Sequence, residues 1–405
     1  MSRFLLEPCN NTLSHLAKCL ALRETLEARG HEVFLTVSKS RAGFLDRLGQ
    51  ERYFVLPDIQ EADAGTTPTL AWFRPGRVEA CVRAEVSLLN RLKPDAVLGV
   101  FRFTGPLSAK LAGVPYDALI CGSMTPACPD VLGFAADEVG AGGQDAALRF
   151  FRKTCAQRMS PALAALGLDP VDDAWQLLAG RRTFLWDFPE FQPLPAAPGY
   201  HHVGPPRWSG WPQGEADSSA LDRLEGPIAY VAFGTGHTPP RLLRHLLESL
   251  WRLGYAVALA LGGQHTTETL PEVSSRLAIF EFLAVEQALA RAALVVCHGG
   301  QLLVFEAMRQ GIPVFVLPLQ PEQAQNGVCV ERMGCGRRLL RGVVFDGRAD
   351  AIERAFLSRP PGQIADEIAT CLSDRSMPAR LALAAEQISH YRGCVALAEQ
   401  LEAAA

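Results

Sequence analysis

No apolar run in this 405-residue chain reaches the roughly 20 residues that a helix needs to cross a bilayer, so no membrane span is expected. The opening MSRFLLEPCNN has one basic residue and a short apolar stretch ahead of Glu7, Pro8 and two asparagines. It therefore lacks the apolar core of a secretory signal, and the expected location is the cytoplasm. There is no tract of Lys and Arg, and 39 basic against 43 acidic residues give a formal net charge of -4. That balance argues against nucleic-acid binding by counterion release and leaves small molecules as the expected partners. The eleven cysteines form no CxxC pair and have no His at finger spacing, which points to reduced, mostly buried thiols rather than disulfides or zinc. Asn10, Asn11 and Thr12 spell a glycosylation sequon, expected to be accidental where no secretion signal is read. An Asp-x-Asp metal motif is missing throughout.

The length suits two domains of ordinary size, and a hydrophobic share of 48% gives each a sizeable core. Short apolar runs alternate with amphipathic stretches, the pattern of βαβ units around a parallel sheet. In the first half, strands are expected at residues 3–7, 31–37, 53–56, 96–101 and 116–120, with helices at 16–29, 78–92 and 106–111. Residues 144–166 read as a helical insert, and RRTFLWDFP as the last strand of this domain. The Pro-rich stretch from Pro189 to Gln213 reads as an extended linker. The alternation then restarts with PIAYVAF, YAVALAL, LAIFEF, ALVVC and PVFVLPL, separated by helices at 240–253, 285–291 and 302–309. Residues 378–404 have the composition of one long helix, with Gly393 a weak spot. The expectation is two doubly wound, Rossmann-like α/β domains facing a cleft, residues 1–205 and 206–377, with 378–405 a terminal helix packing back on the first.

The strongest local pattern is CHGGQLLVFEAMRQGIPVFVLPLQPEQAQN, which follows the apolar strand ALVV and enters a helix. A strand, then His298, Gly299 and Gly300, then a helix leaves unpaired N–H groups where a diphosphate can sit. An ordinary tight turn with a surface His would read the same way in isolation.

The continuation resembles the donor-binding signature of family 1 glycosyltransferases, which are of the GT-B fold and include plant UDP-sugar transferases and bacterial macrolide and antibiotic glycosyltransferases. The resemblance implies His298 at the diphosphate, with Gly299, Gly300 and Gln301 beside it. It implies Glu306 on the ribose hydroxyls and Glu322 with Gln323 on the sugar hydroxyls, Glu322 standing where the family has Asp. Phe282 lies where the family often has a base-stacking Trp; a core Phe at a strand end is the alternative. VAFGTG resembles the family's Ser-Phe-Gly-Thr loop, which implies Thr235 and Gly236 at the diphosphate. SHLAKCLALRETLEARGHEV is similar to the family's opening motif and places His15 on its catalytic His; a His near a helix start without catalytic work is the alternative.

An imidazole of near-neutral pKa suits removal of a proton from an acceptor hydroxyl, so His15 is the expected general base. The Gly-rich turn and helix N-terminus would stabilise the departing diphosphate without a metal or other cofactor. Three positions depart from the family. Val100 stands where a carboxylate usually orients the base, so another carboxylate reaches in, the base is weaker, or the acceptor is acidic. Leu302 and Leu303 replace a pair that would give the phosphates a hydroxyl, and Ser14 replaces the Gly before the catalytic His.

The expected activity is metal-independent, inverting transfer of a sugar from a UDP- or dTDP-sugar to a small acceptor. Trp72, Phe73, Phe101 and Phe103 hint at an aromatic acceptor, unless they are core. A catalytically impaired nucleotide-sugar-binding homologue and a nucleotide-sugar epimerase are the other readings of the same architecture.

Overall fold

The computed structural model describes residues 1–60, 69–195, 199–208, 210, 219–235, 238–264, 270–344 and 349–403. They fall into two units. The first comprises residues 1–129, 146–212 and 391–405, and the second residues 130–145 and 213–390.

In the first unit the apolar runs form seven parallel strands: β1 (Arg3–Pro8), β2 (Glu32–Val37), β3 (Tyr53–Val55), β4 (Ala96–Val100), β5 (Tyr116–Ile120), β6 (Thr183–Leu185) and β7 (Tyr200–His202). Their order is β3-β2-β1-β4-β5-β6-β7. The helix Leu13–Ala28 follows β1, and Gly30 at φ 87° turns the chain from it toward β2. Every residue of β4 and β5 is buried, as expected for parallel strands covered on both faces. The strand order reverses between β1 and β4, whose register pairs Glu7 with Gly99 and Pro8 with Val100. Open sheets of this kind place ligands beyond the carboxyl ends of the strands flanking such a reversal.

The second unit repeats the plan with six parallel strands: β8 (Ile228–Ala232), β9 (Ala256–Ala260), β10 (Leu277–Phe280), β11 (Ala292–Cys297), β12 (Val314–Val316) and β13 (Gly336–Arg338). The order is β10-β9-β8-β11-β12-β13, so the reversal lies between β8 and β11. Val231, Leu246, Leu250, Leu259, Val296 and Phe315 are all but sealed from solvent in its core. Each such side chain contributes roughly 1.5–3 kcal/mol by leaving water.

Several sequence expectations need correction. The stretch taken as a linker contains β7, which pairs in parallel with β6, so RRTFLWDFP is not the last strand of its sheet. The long terminal helix is two helices, Met377–Ser389 and Cys394–Glu402. Gly393 adopts φ 51° between them, and a Cβ there would lie 2.7 Å from the Pro205 carbonyl oxygen, so the break is required by close backbone approach. The second of these helices packs on Leu13–Ala28, and the first packs on the helix Gln301–Arg309.

The units also differ from cuts at 205 and 377. Residues 130–145 group with the second unit because Gln325 Nε2 donates to Asp130 (2.8 Å), the Gly133 N–H donates to Gln325 Oε1 (3.1 Å) and Arg338 pairs with Glu138 (2.9 Å). None of the eleven cysteines forms a disulfide, and eight are buried. Among the described residues no helix is long and apolar enough to cross a membrane.

Candidate functional site

At the reversal point of the first sheet, the loop after β1 leads into the helix that carries His15 in its first turn. The imidazole lies between two aromatic rings, Phe101 at 5.5 Å and Trp186 at 5.7 Å between centroids. One turn on, the Lys18 ammonium sits 4.1 Å over the Trp186 ring and donates to Ser14 Oγ (3.0 Å). Burial pushes the His15 pKa well below its ordinary value and the Lys18 charge pushes further, only partly opposed by the Cys9 backbone. Nδ1 of the ring is buried with no hydrogen-bond partner of acceptable geometry. The ring is therefore neutral at pH 7 and able to accept a proton. Among the described residues no carboxylate contributes to its ionisation. Val100 is fully buried and supplies only methyl groups.

Phe101, the residue after β4, adopts φ 53°, a left-handed conformation that is costly without glycine and that clusters at functional sites. The next residue, Arg102, is 1% exposed and paired with Asp58 and Glu85, each at 2.6 Å. Glu7 lies in the same buried group with neither carboxylate oxygen hydrogen-bonded. Burial, then the charge of Glu85, raises its pKa to about 8, so it is mostly protonated at neutral pH. Of the four aromatics singled out in the sequence, Phe73 and Phe103 are core, their rings 5.1 Å apart; Trp72 and Phe101 keep partial exposure.

At the reversal point of the second sheet, glycines let three loops come together. His298 follows β11, and Gly299 at φ 93° turns the chain into the helix Gln301–Arg309. Gly300 caps that helix with no side-chain bond, so the first N–H groups of its opening turn have no intrahelical acceptor. A Cβ on Gly300 would lie 2.7 Å from His298 Nε2, and one on Gly234, in the loop after β8, 3.2 Å from His298 Cε1. A Cβ on Gly299 would come within 2.6 Å of the Gln323 carbonyl oxygen. The His298 ring is thus seated between two glycine loops, where burial lowers its pKa to about 4 against a weaker effect of the Ala232 backbone.

The structure brings most of the predicted donor residues to this edge. Thr235 is exposed in the loop after β8, and Gly236 lies outside the described residues. Phe282 is 39% exposed, so it is not a core Phe, and its ring would stand 3.2 Å from a Cβ on Gly263. Gln301 is buried and donates to Asn326 Oδ1 (3.1 Å). Glu322 Oε1 accepts from Asn326 Nδ2 (2.8 Å), and Gln323 Oε1 accepts from the Leu319 N–H (2.9 Å), so both serve bonds within the unit. Glu306, one turn into the helix, lies 3.4 Å from Arg309.

Two residues escaped the sequence reading. Asn326 donates to the Gly299 carbonyl (2.8 Å) and so fixes the turn; it closes the quoted motif, and its place there was the available signal. Gln264 accepts from the Thr238 N–H (2.7 Å) and donates to the Gly234 carbonyl (3.0 Å), bracing the loop after β8. Nothing in the sequence marked it.

The chain is similar to several known glycosyltransferases. The C-terminal domain model of glycosyltransferase family 28 matches residues 242–344. A PGL/p-HBAD biosynthesis rhamnosyltransferase of Mycobacterium bovis (strain BCG / Pasteur 1173P2) is 28% identical over 345 residues, 80% of this chain and 74% of that one. The solved glycotransferase of kitacinnamycin superposes with a TM-score of 0.76 at 17% identity, covering 100% of this chain and 99% of that one. The spinosyn rhamnosyltransferase SpnG complexed with thymidine diphosphate gives 0.70 at 19%, covering 99% and 100%. The two parallel α/β sheets share the fold of these solved glycosyltransferases, and in sequence the chain is similar to glycosyltransferases over most of its length.

Proposed function

We propose that the protein transfers a sugar from a nucleoside-diphosphate sugar to the hydroxyl of a small-molecule acceptor, with inversion at the anomeric carbon. The second unit holds the donor. Its diphosphate lies on the N–H groups that open the helix Gln301–Arg309, beside the neutral His298 imidazole, and Phe282 offers its exposed ring to the base. Glu306 takes the ribose hydroxyls, and Glu322 and Gln323 face the sugar. The observation that carries this reading is the glycine-cleared turn at His298–Gly300, which has no room for a Cβ and opens a helix whose cap makes no side-chain bond.

His15 is the base. The acceptor oxygen gives its proton to the imidazole and forms a bond to the anomeric carbon, while the bond from that carbon to the phosphate oxygen breaks. The electron pair leaves with the nucleoside diphosphate, whose charge is met by helix N–H groups, with no divalent ion in the step. A thymidine-diphosphate deoxysugar is the first donor to test, since a relative is a rhamnosyltransferase and a structural neighbour is complexed with thymidine diphosphate.

Titration calorimetry with thymidine and uridine diphosphates tests the donor half. Binding that His298→Ala weakens tenfold or more is expected; undiminished affinity in that variant contradicts the placement. Val100, Leu302 and Leu303 favour a second reading, a nucleotide-sugar-binding homologue without turnover. Nucleotide binding with no acceptor-dependent release across a broad acceptor panel would support it.

A further inference from the structure

We infer that Asn10, held by the buried Asp58–Arg102 ion pair, is the positioning residue for His15 and does by loop clamping what a carboxylate at position 100 would do by direct contact. The inference rests on the reading of His15 as the base.

Among the described residues no carboxylate acts on His15, so its orientation is set by the loop that starts its helix and by the rings on either side. Asn10 sits in the middle of that loop, 2% exposed, and every polar atom of its side chain is used. Its Nδ2 donates to Asp58 Oδ2 (2.7 Å) and to the Pro8 carbonyl (3.1 Å), and its Oδ1 accepts the Ser38 N–H (3.1 Å). Its own N–H donates to Asp58 Oδ2 (2.9 Å). One side chain therefore joins the loops after β1, β2 and β3.

The loop after β4 joins through Arg102, which bonds Asp58 and also approaches the Pro8 carbonyl (3.4 Å). Glu85 holds the other side of the guanidinium and accepts from Thr104 Oγ1 (2.6 Å). With Arg102 fixed on one side and Val100 in the sheet on the other, Phe101 is held in its left-handed conformation with its ring against His15. The same knot thus sets both the start of the His15 helix and one of the two rings that flank the imidazole. Arg41, on the outer side, donates to the Asn10 and Asn11 carbonyls (3.1 and 3.3 Å) and closes the loop there.

Removing Arg102 or Asp58 would strand buried charge and risk the fold, so the test is Asn10→Ala. Its kcat should fall about tenfold to a hundredfold, because small misplacement of a catalytic group costs that much. The donor KM should stay within twofold, and the His15 ring resonances in a histidine-labelled sample should shift and broaden. Adding Val100→Asp to Asn10→Ala should recover most of the lost kcat without recovering the lost thermal stability, a rescue that a merely structural asparagine would not show. Should Asn10→Ala not fold, Arg41→Gln loosens the same loop and is read the same way, with a smaller loss. A folded Asn10→Ala with unchanged kcat, or with unchanged His15 resonances, overturns the inference. Turnover unaffected by His15→Ala would instead remove the base reading on which it rests.

Discussion

At the carboxyl edge of the first sheet an asparagine, an arginine and two carboxylates tie four loops together, whereas at the same edge of the second sheet glycines let backbone meet backbone. Both edges lie at the point where strand order reverses, so topology places the two sites alike. In the proposed function the means of holding them differ because the tasks differ. An imidazole that abstracts a proton needs an orientation, which only a surrounding shell of side chains can fix. A diphosphate needs a row of N–H groups, and side chains there would only obstruct.

The sharpest way to break this contrast is Gly299→Val. The substitution puts a branched side chain at φ 93° and against the Gln323 carbonyl, so nucleoside-diphosphate affinity measured by calorimetry should fall about a hundredfold or more, with His15 resonances unchanged. Retained affinity would mean that the glycines do not shape the donor site.

Glu7 at the first edge and His298 at the second titrate with opposite effects on stability. Glu7 has its pKa raised from 4.5 to about 8, so its contribution to stability is fully present below pH 4.5 and lost as the pH rises toward 8. His298 is lowered from 6.5 to about 4, so its contribution is present above pH 6.5 and lost as the pH falls toward 4. Melting temperatures of Glu7→Gln should lack the alkaline loss, on the order of a few kcal/mol, and those of His298→Gln should lack part of the acidic one. A Glu7→Gln profile parallel to the parent would place a charged Glu7 in the folded protein.

A smaller effect is expected from Val100→Asp. A carboxylate near His15 would stabilise the imidazolium, raising kcat about tenfold on weakly acidic aliphatic hydroxyls and less on phenols. Equal rates on both classes would show that the loop clamp already suffices. The smallest change expected is for Leu303→Ser, which restores one hydroxyl near the diphosphate and should tighten nucleotide binding by about 0.5–1.5 kcal/mol.

Legibility in the sequence followed the same division. The glycine turn of the second unit stood out because His298, Gly299, Gly300 and Gln301 are adjacent in the chain, between an apolar strand and a helix. His15 could be read only through a resemblance, and its supports could not be read at all, since Asn10 and Asp58 are 48 residues apart and look like ordinary loop polar residues. Strands with apolar runs were visible, but β13, Gly-Arg-Arg, has none and was missed. The helix Lys39–Arg47 buries only Phe44 and Leu45, too little for a periodic signal. The long terminal helix failed at Gly393 because composition does not register that the Pro205 backbone passes within reach of its Cβ.

The most direct test of the account is acceptor-dependent release of nucleoside diphosphate from thymidine- and uridine-diphosphate sugars by the parent protein and by His15→Ala. The account predicts turnover in the parent and a loss of about a hundredfold or more in the variant, with nucleotide affinity intact. Equal turnover in the two proteins would contradict it.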